Sequence, residues 1–211
     1  MFTGIVEEKG KIESIKQTNH ALQLKIAAGK VTEDVSVGDS ISVNGVCLTV
    51  TNYDANWFTV DVIPETFRGS SLSRLSSQSV VNLERAMHAN GRFGGHFVSG
   101  HVDAIGTIER TWIEDNAKYY YIAVKDTRYI TMKGSVSVDG TSLTVFGVDD
   151  HGFTISLIPE TQKATILGEK NRGDIVNVEY DMLAKYMERL LQNSGKQSSG
   201  LTEEKLKQYG F

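Results

Sequence analysis

The chain contains two copies of one sequence pattern, 95 residues apart. Ser40–Val50 (SISVNGVCLTV) returns as Ser135–Val145 (SVSVDGTSLTV), and Ile63–Thr66 (IPET) returns as Ile158–Thr161. Repeats of about 20–50 residues build solenoids, so this longer period predicts two tandem domains, each long enough to bury its own core. Further matching blocks are Val81–Glu84 with Val176–Glu179, and Thr3–Val6 with Ser99–Val102.

Two positions of chemical interest differ between the copies. Cys47 in the first corresponds to Ser142 in the second, and His101 in the second corresponds to Ile5 in the first. A lone cysteine on a strand is more often a small buried hydrophobe than a reactive group. An imidazole in place of an apolar side chain costs packing, which favours a role for His101 in proton transfer. We expect two similar pockets that treat two similar ligands differently.

Turn and strand signals predict β-structure in both copies. Asn44–Gly45 and Asp139–Gly140 each lie between runs of alternating polar and apolar residues, which is a strong signal for a type I′ hairpin. Short strands at spacings of roughly ten residues favour an antiparallel barrel or sandwich in each copy. Strand patterns stop at Pro64 and Pro159, and we expect a short helical turn after each proline.

One segment near the C-terminus has helical periodicity instead. Between 182 and 191 the apolar residues recur at helical spacing, and Asp181 is a candidate N-cap. A lone amphipathic helix must bury its apolar stripe on its own barrel or on other subunits. We expect oligomerisation through this helix, whereas the polar residues 195–211 predict a flexible tail.

Charge and motifs exclude several classes of function. The net charge of −4 does not favour nucleic acid, and the single cysteine fits a reducing cytoplasm. Neither a signal peptide nor a transmembrane run is recognisable, so we expect a cytoplasmic protein without membrane contact. The chain has no phosphate-binding glycine loop, no HExxH and no CxxC, and we expect neither a metal nor a cofactor.

Several of these motifs resemble the riboflavin synthase family, from residue 1 to about residue 191. The resemblance is carried by the segments Met1–Val6, Gly38–Thr51, Pro64–Thr66, Val81–Ala86, Gly94–Asp103, Ser137–Val145, Leu157–Thr161 and Leu183–Leu191. So long and ordered a match is specific to this family.

The resemblance implies an all-β fold of two tandem six-stranded Greek-key barrels plus a C-terminal α-helix. The expected domains are a lumazine-binding barrel over 1–95, a second over 96–180, a trimerisation helix over 181–194 and the tail over 195–211. The implied enzyme is a cofactor-independent transferase and a homotrimer. It catalyses the last step of riboflavin biosynthesis, in which two 6,7-dimethyl-8-ribityllumazine molecules give riboflavin and 5-amino-6-ribitylamino-uracil. An association with lumazine synthase is a further expectation.

The resemblance also implies site residues. His101 is the candidate base, and Ser40 and Cys47 are candidates to position or supply a nucleophile, with their division of labour open. Asp139 and Asp181 match acidic positions of the family, although a hairpin turn and a helix cap already explain them. The residues expected to bind substrate are Phe2, Thr3, Gly4, Ile5, Val6, Cys47, Leu48, Thr49, Asp61, Val62, Ile63, Pro64, Glu65, Thr66, Gly100, His101, Val102, Lys133, Ser142, Leu143, Thr144, Ser156, Leu157, Ile158, Pro159, Glu160 and Thr161.

Two other functions compete with this interpretation. A non-catalytic lumazine or flavin carrier would share the duplicated barrel but lose one pocket together with the thiol and the imidazole. Cys47, His101 and the two Leu-Thr blocks argue against such a carrier. A barrel that binds single-stranded nucleic acid would need a basic groove with exposed aromatic side chains, and the net charge of −4 does not support one.

Overall fold

The structure, a computed structural model, describes residues 1–17, 22–194 and 203–210 and consists mainly of two sets of six strands. The first set is β1 (Glu8–Gln17), β2 (Leu22–Ala27), β3 (Ser40–Val43), β4 (Val46–Asp54), β5 (Trp57–Val62) and β6 (Val80–Arg85). The second set is β7 (Ala104–Glu114), β8 (Ala117–Ala123), β9 (Ser135–Val138), β10 (Thr141–Val148), β11 (Gly152–Leu157) and β12 (Ile175–Tyr180).

Each set closes into an antiparallel barrel with the same topology. The strands of the first barrel are ordered β1-β2-β5-β4-β3-β6, and those of the second β7-β8-β11-β10-β9-β12. In the first barrel β3, β4 and β5 pair in sequence and β6 returns beside β3, which is the Greek-key arrangement. The predicted pair of six-stranded barrels is confirmed.

The strand alternation determines which side chains face the cores. In β4, Val46, Leu48 and Val50 are buried, whereas Cys47 is half-buried and Thr49 is exposed. Each barrel has its own apolar cluster. The thiol and the strand hydroxyls therefore lie on the outer faces of the barrels, and a ligand that contacts them lies outside the barrel rather than within it.

The predicted turns are confirmed by their backbone angles. Asn44 and Gly45 have φ values of 48° and 80°, and Asp139 and Gly140 have values of 45° and 78°. Positive φ at both central residues defines the type I′ turn. The expected helical turns also follow the prolines, as α1 (Pro64–Arg68) and α2 (Pro159–Ala164).

The C-terminal helix α3 spans Met182–Ser194. Its predicted cap is confirmed, because the Asp181 carboxylate accepts the backbone N–H of Leu183 at 3.0 Å. In the expected tail, 195–202 and 211 lie outside the described residues, and α4 spans Glu203–Gln208. Among the helices that the structure describes, none combines the length and apolar character needed to cross a membrane.

Helix α3 turns its polar side towards the second barrel. Lys185 Nζ lies 2.7 Å from Asp103 Oδ2, and Glu188 Oε1 lies 3.4 Å from Arg128 Nη1. The apolar stripe is therefore not buried on its own barrel, and an exposed apolar stripe of this kind is typical of an interface. The stripe consists of Leu183, Tyr186, Met187, Leu190 and Leu191, whose exposed fractions run from 59% to 71%.

Candidate functional site

A buried glutamate holds the segment that precedes the first barrel. Glu84 on β6 accepts the N–H and the hydroxyl of Thr3 at 2.6 and 2.7 Å, and the N–H of Gly4 at 3.0 Å. Burial raises the pKa of Glu84, and the hydrogen bonds from Thr3 and Gly4 oppose that shift. The carboxylate thus fixes the first start segment, Thr3–Val6, on its own barrel.

The second barrel repeats this arrangement. Glu179 on β12 accepts the N–H and hydroxyl of Ser99, each at 2.6 Å, and the N–H of Gly100 at 2.9 Å. The repeated glutamates of the sequence are therefore anchors for the two start segments, the second of which is Ser99–Val102.

Each start segment crosses the outer face of the opposite barrel. Gly100 O accepts the N–H of Cys47 at 2.8 Å, and Gly4 O accepts the N–H of Ser142 at 2.7 Å. A Cβ on Gly100 would lie 2.5 Å from Cys47 Cβ, and one on Gly4 would lie 2.6 Å from Ser142 Cβ. Both glycines also have φ near +80°, so only glycine fits at these two crossings.

This crossing brings together the thiol and the imidazole that the sequence singled out. Gly100 contacts Cys47, and His101 is the next residue along the start segment. The His101 side chain is exposed, with its Nδ1 atom 3.0 Å from the Ser99 hydroxyl. We call this surface the Cys47 groove; it is bounded by β4, the end of β5 and Ser99–Val102.

The remaining residues expected in the Cys47 groove lie at the end of β5 and at the start of α1. Asp61 and Val62 end that strand, and Pro64–Thr66 open α1. Asp61 Oδ1 accepts the side-chain amide of Gln23 at 3.3 Å.

A matching Ser142 groove lies on the second barrel, bounded by β10, the end of β11 and Thr3–Val6. Lys133, one of the residues expected to bind substrate, has φ of 63° and donates its backbone N–H to Val145 O at 2.8 Å. Its side chain is exposed. The other expected residues are Thr144 on β10, Ser156 and Leu157 at the end of β11, Ile158, and Pro159–Thr161 in α2.

Some expected binding residues have their side chains inside the protein. A ligand in the grooves can meet these residues only through their backbone atoms. Phe2, Leu48, Val62, Leu143 and Leu157 are each at most 8% exposed.

Ser40 lies at the start of β3, opposite Thr49. It lines a cavity of about 780 Å³ together with Thr3 and Ile5, between the first start segment and residues 86–94. Ser40 therefore adjoins both the outer face of β4 and this cavity.

Asp139 is placed differently from the other catalytic candidates. Its side chain is 0% exposed, and its Oδ1 atom accepts the N–H of Asn177 at 2.8 Å. Oδ2 lies 3.4 Å from Lys170 Nζ. Burial raises the pKa of this carboxyl, and Lys170 opposes the shift. Asp139 therefore has no accessible surface for a ligand. Asp181, the other acidic candidate, is the N-cap of α3.

His96 contributes to the Ser142 groove, although sequence reasoning did not assign it a role there. Its Nδ1 lies 2.7 Å from Ser142 Oγ, and Nε2 is buried without a hydrogen-bond partner among the described residues. Burial lowers the pKa of His96, and the Asp181 charge opposes this shift. The repeat could not reveal it, because His96 lies outside the matching blocks Thr3–Val6 and Ser99–Val102. Within the described ranges, no group of three or more His, Cys, Asp and Glu could hold a metal ion.

Comparison with known proteins finds the Lumazine binding domain family twice, at residues 3–86 and 99–181. Riboflavin synthase of Bacillus subtilis (strain 168) is 53% identical, and that of Actinobacillus pleuropneumoniae is 50% identical, each over 100% of both chains. Riboflavin synthase of Schizosaccharomyces pombe is 42% identical over 91% of this chain and 94% of its own.

Solved structures agree on the fold. LumP complexed with 6,7-dimethyl-8-(1'-D-ribityl) lumazine superposes with a TM-score of 0.76 at 24% identity, covering 85% of this chain and 98% of that one. LumP complexed with riboflavin gives the same TM-score and identity, covering 85% and 99%. At this identity the likeness establishes the duplicated barrel and nothing finer.

Proposed function

Because this chain belongs to the riboflavin synthase family of duplicated lumazine binding domains, we propose that it converts two molecules of 6,7-dimethyl-8-ribityllumazine into riboflavin and 5-amino-6-ribitylamino-uracil. One molecule gives up a four-carbon unit and the other accepts it, so the enzyme is a transferase. The observation that carries the proposal is the pair of equivalent grooves with unequal chemistry, Cys47 in one and Ser142 in the other. A reaction between two copies of one molecule needs two similar sites.

The first role of the protein is to bring two rings together. In the proposed assembly the first barrel of one subunit faces the second barrel of a neighbour, so that the Cys47 groove and the Ser142 groove form one site. Well-oriented intramolecular reactions gain up to roughly 7–11 kcal/mol over their bimolecular counterparts. This orientation requires no metal or redox cofactor, and we propose that the enzyme uses none.

The second role is proton transfer. The methyl group on lumazine C7 is acidic because the ring delocalises the resulting carbanion. We assign His101 as the base that accepts this proton, since its exposed imidazole belongs to the start segment that crosses Cys47 and directly follows Gly100. Cys47 and Ser40 position or supply the nucleophile that adds to the second ring.

The proposed assembly is a homotrimer held by α3. The exposed apolar stripe of this helix supports it, because the polar side of α3 already packs on the second barrel. We further propose a cytoplasmic location and an association with lumazine synthase, which would supply the substrate.

The decisive experiment mixes the purified protein with 6,7-dimethyl-8-ribityllumazine in the absence of any cofactor. We expect riboflavin fluorescence to rise at half the rate at which lumazine absorbance is lost. Tight binding of lumazine without riboflavin formation would reassign the protein to the carriers, and absence of both would refute the proposal.

A further inference from the structure

We propose that Asp139 and Lys170 form a positioning pair, which holds the two barrels in register and thereby places Ser142 against the first start segment. The proposal rests on the proposed function, because register matters to turnover only if both grooves take part. Asp139 then acts on the reaction through the fold and never touches substrate.

The contact between the barrels centres on their two type I′ turns. A Cβ on Gly45 would lie 2.7 Å from Gly140 N, and one on Gly140 would lie 2.8 Å from Gly45 N. The turns therefore touch backbone to backbone, and a small displacement of one turn displaces the other.

Two asparagines link each barrel to the turn of the other. The side-chain amide of Asn82 donates to Asp139 O at 2.9 Å, and that of Asn177 donates to Asn44 O at 2.8 Å. Within each barrel the side chain of the turn residue accepts the backbone N–H of the asparagine in that barrel. Asn44 Oδ1 accepts the N–H of Asn82 at 2.7 Å, and Asp139 Oδ1 accepts the N–H of Asn177 at 2.8 Å.

The two halves of this junction differ at one pair of positions. In the second barrel Lys170 Nζ lies 3.4 Å from Asp139 Oδ2 and donates to Ile175 O at 2.7 Å. In the first barrel Asn44 stands in place of Asp139, and Leu75 stands in place of Lys170. The same turn is thus flanked by a neutral pair in the first barrel and by an ionic pair in the second.

In the ionic pair, the stabilities contributed by Asp139 and Lys170 depend on each other. A carboxylate with no exposed surface is costly unless a cation compensates it, and Lys170 is the cation that faces Oδ2. Removing Lys170 leaves the Asp139 carboxylate buried without a cation, and removing Asp139 leaves Lys170 Nζ with Ile175 O but no carboxylate. Replacing both restores a neutral junction. The path to the site is short, because β10 runs from this turn directly to Ser142, whose N–H binds Gly4 O.

The chain itself supplies the matched test. The double variant Asp139→Asn/Lys170→Leu copies the first-barrel pair Asn44 and Leu75 into the second barrel. The single variants Asp139→Asn and Lys170→Leu each leave one charged group without its partner. Riboflavin formation, lumazine affinity by fluorescence titration and urea unfolding would be measured for all three and for the unmodified protein.

We expect each single variant to unfold at lower urea concentration and to lose roughly tenfold or more in turnover. The double variant should recover turnover to within about threefold of the unmodified protein, because coupled residues are non-additive. As a matched control, Asn44→Asp puts the same carboxylate opposite Leu75 and should destabilise the protein.

Three results would overturn the positioning role. The first is a double variant that folds and binds lumazine but forms no riboflavin, since the carboxylate would then act chemically. The second is a double variant less stable than both single variants, and the third is an Asn44→Asp variant as stable as the unmodified protein. If the unmodified protein forms no riboflavin, the proposed function fails, while the unfolding data still decide whether Asp139 and Lys170 are coupled.

Discussion

At the scale of single residues, the two grooves differ at equivalent positions. Cys47 and Ser142 occupy the same place on the outer faces of β4 and β10, and each is crossed by a glycine of a start segment. One groove therefore offers a thiol with a neighbouring exposed imidazole. The Ser142 groove offers a hydroxyl that is hydrogen-bonded to the buried imidazole of His96.

The assignment of His101 as the base predicts a selective loss of activity. Replacing His101 by alanine should lower turnover by about 10²–10⁴-fold, the usual contribution of a positioned general base, while lumazine still binds. Steady-state riboflavin formation and fluorescence titration measure the two effects separately. His151→Ala, which removes an exposed histidine from a turn of the second barrel, should leave both unchanged. Normal turnover in His101→Ala would remove His101 from the mechanism.

Burial of His96 predicts a loss of stability in mild acid. Its pKa in the folded protein is lowered from 6.5, so the unfolded chain binds a proton more readily. The corresponding stability is present above pH 6.5 and is lost as the pH falls, by at most about 1.4 kcal/mol per pH unit. Urea unfolding at pH 7.5 and pH 5.5 should show this loss, and His96→Gln should reduce it. An equal loss in the variant would assign the effect to other groups.

Sequence reasoning predicted only some of these residue roles. Cys47 and His101 could be found because the repeat provides a reference position for each. The burial of Asp139 could not, since it results from a turn-to-turn contact between segments 95 residues apart. His96 lies outside the matching blocks of the two copies, and its hydrogen bond to Ser142 requires the path that the chain takes between the barrels.

At the scale of elements, the start segments were the least visible part of the fold. Hairpins, proline-bounded strands and α3 have local signals, and the structure confirms each of them. The crossing of the start segments depends on buried glutamates more than 75 residues away, as with Glu84 and Thr3. No local pattern in the sequence indicates that each segment crosses the opposite barrel.

This crossing predicts that Gly100 tolerates no side chain. Gly100→Ala should lift the second start segment from β4 because its Cβ would lie 2.5 Å from Cys47 Cβ. Gly38→Ala is the matched control, since Gly38 has φ of 98° and open space around it. The control should lose about 1–3 kcal/mol from backbone strain alone. Gly100→Ala should lose more stability, most of its turnover and the hydrogen-exchange protection of the Cys47 amide; retention of that protection would contradict the crossing.

At the scale of the whole molecule, α3 connects the fold to the proposed assembly. Its polar side chains bind the second barrel, and its apolar stripe faces outwards. The sequence indicated the apolar stripe, but it left open whether the stripe packs on its own barrel or on another subunit. The choice between them depends on contacts such as Lys185 with Asp103, which join residues 82 positions apart.

Deletion of the chain from Asp181 onwards should therefore convert the proposed trimer into monomers. Riboflavin formation should fall with assembly, because each proposed site uses barrels of two subunits. Sedimentation or light scattering would measure the mass, and Lys185→Ala, on the side of α3 that faces the barrel, should leave it trimeric. A trimer that survives the deletion would locate the interface elsewhere.

The backbone contact between the two turns, Asn44–Gly45 and Asp139–Gly140, has a consequence for how such a protein changes over time. Two identical chains related by an axis at that contact would receive every substitution twice, so a cysteine gained at one site would also appear at the other. Joined in one chain, the halves are inherited together but mutate separately. Covalent linkage thus lets Cys47 and Ser142 differ while the two halves stay together, so the two proposed sites can treat identical molecules differently.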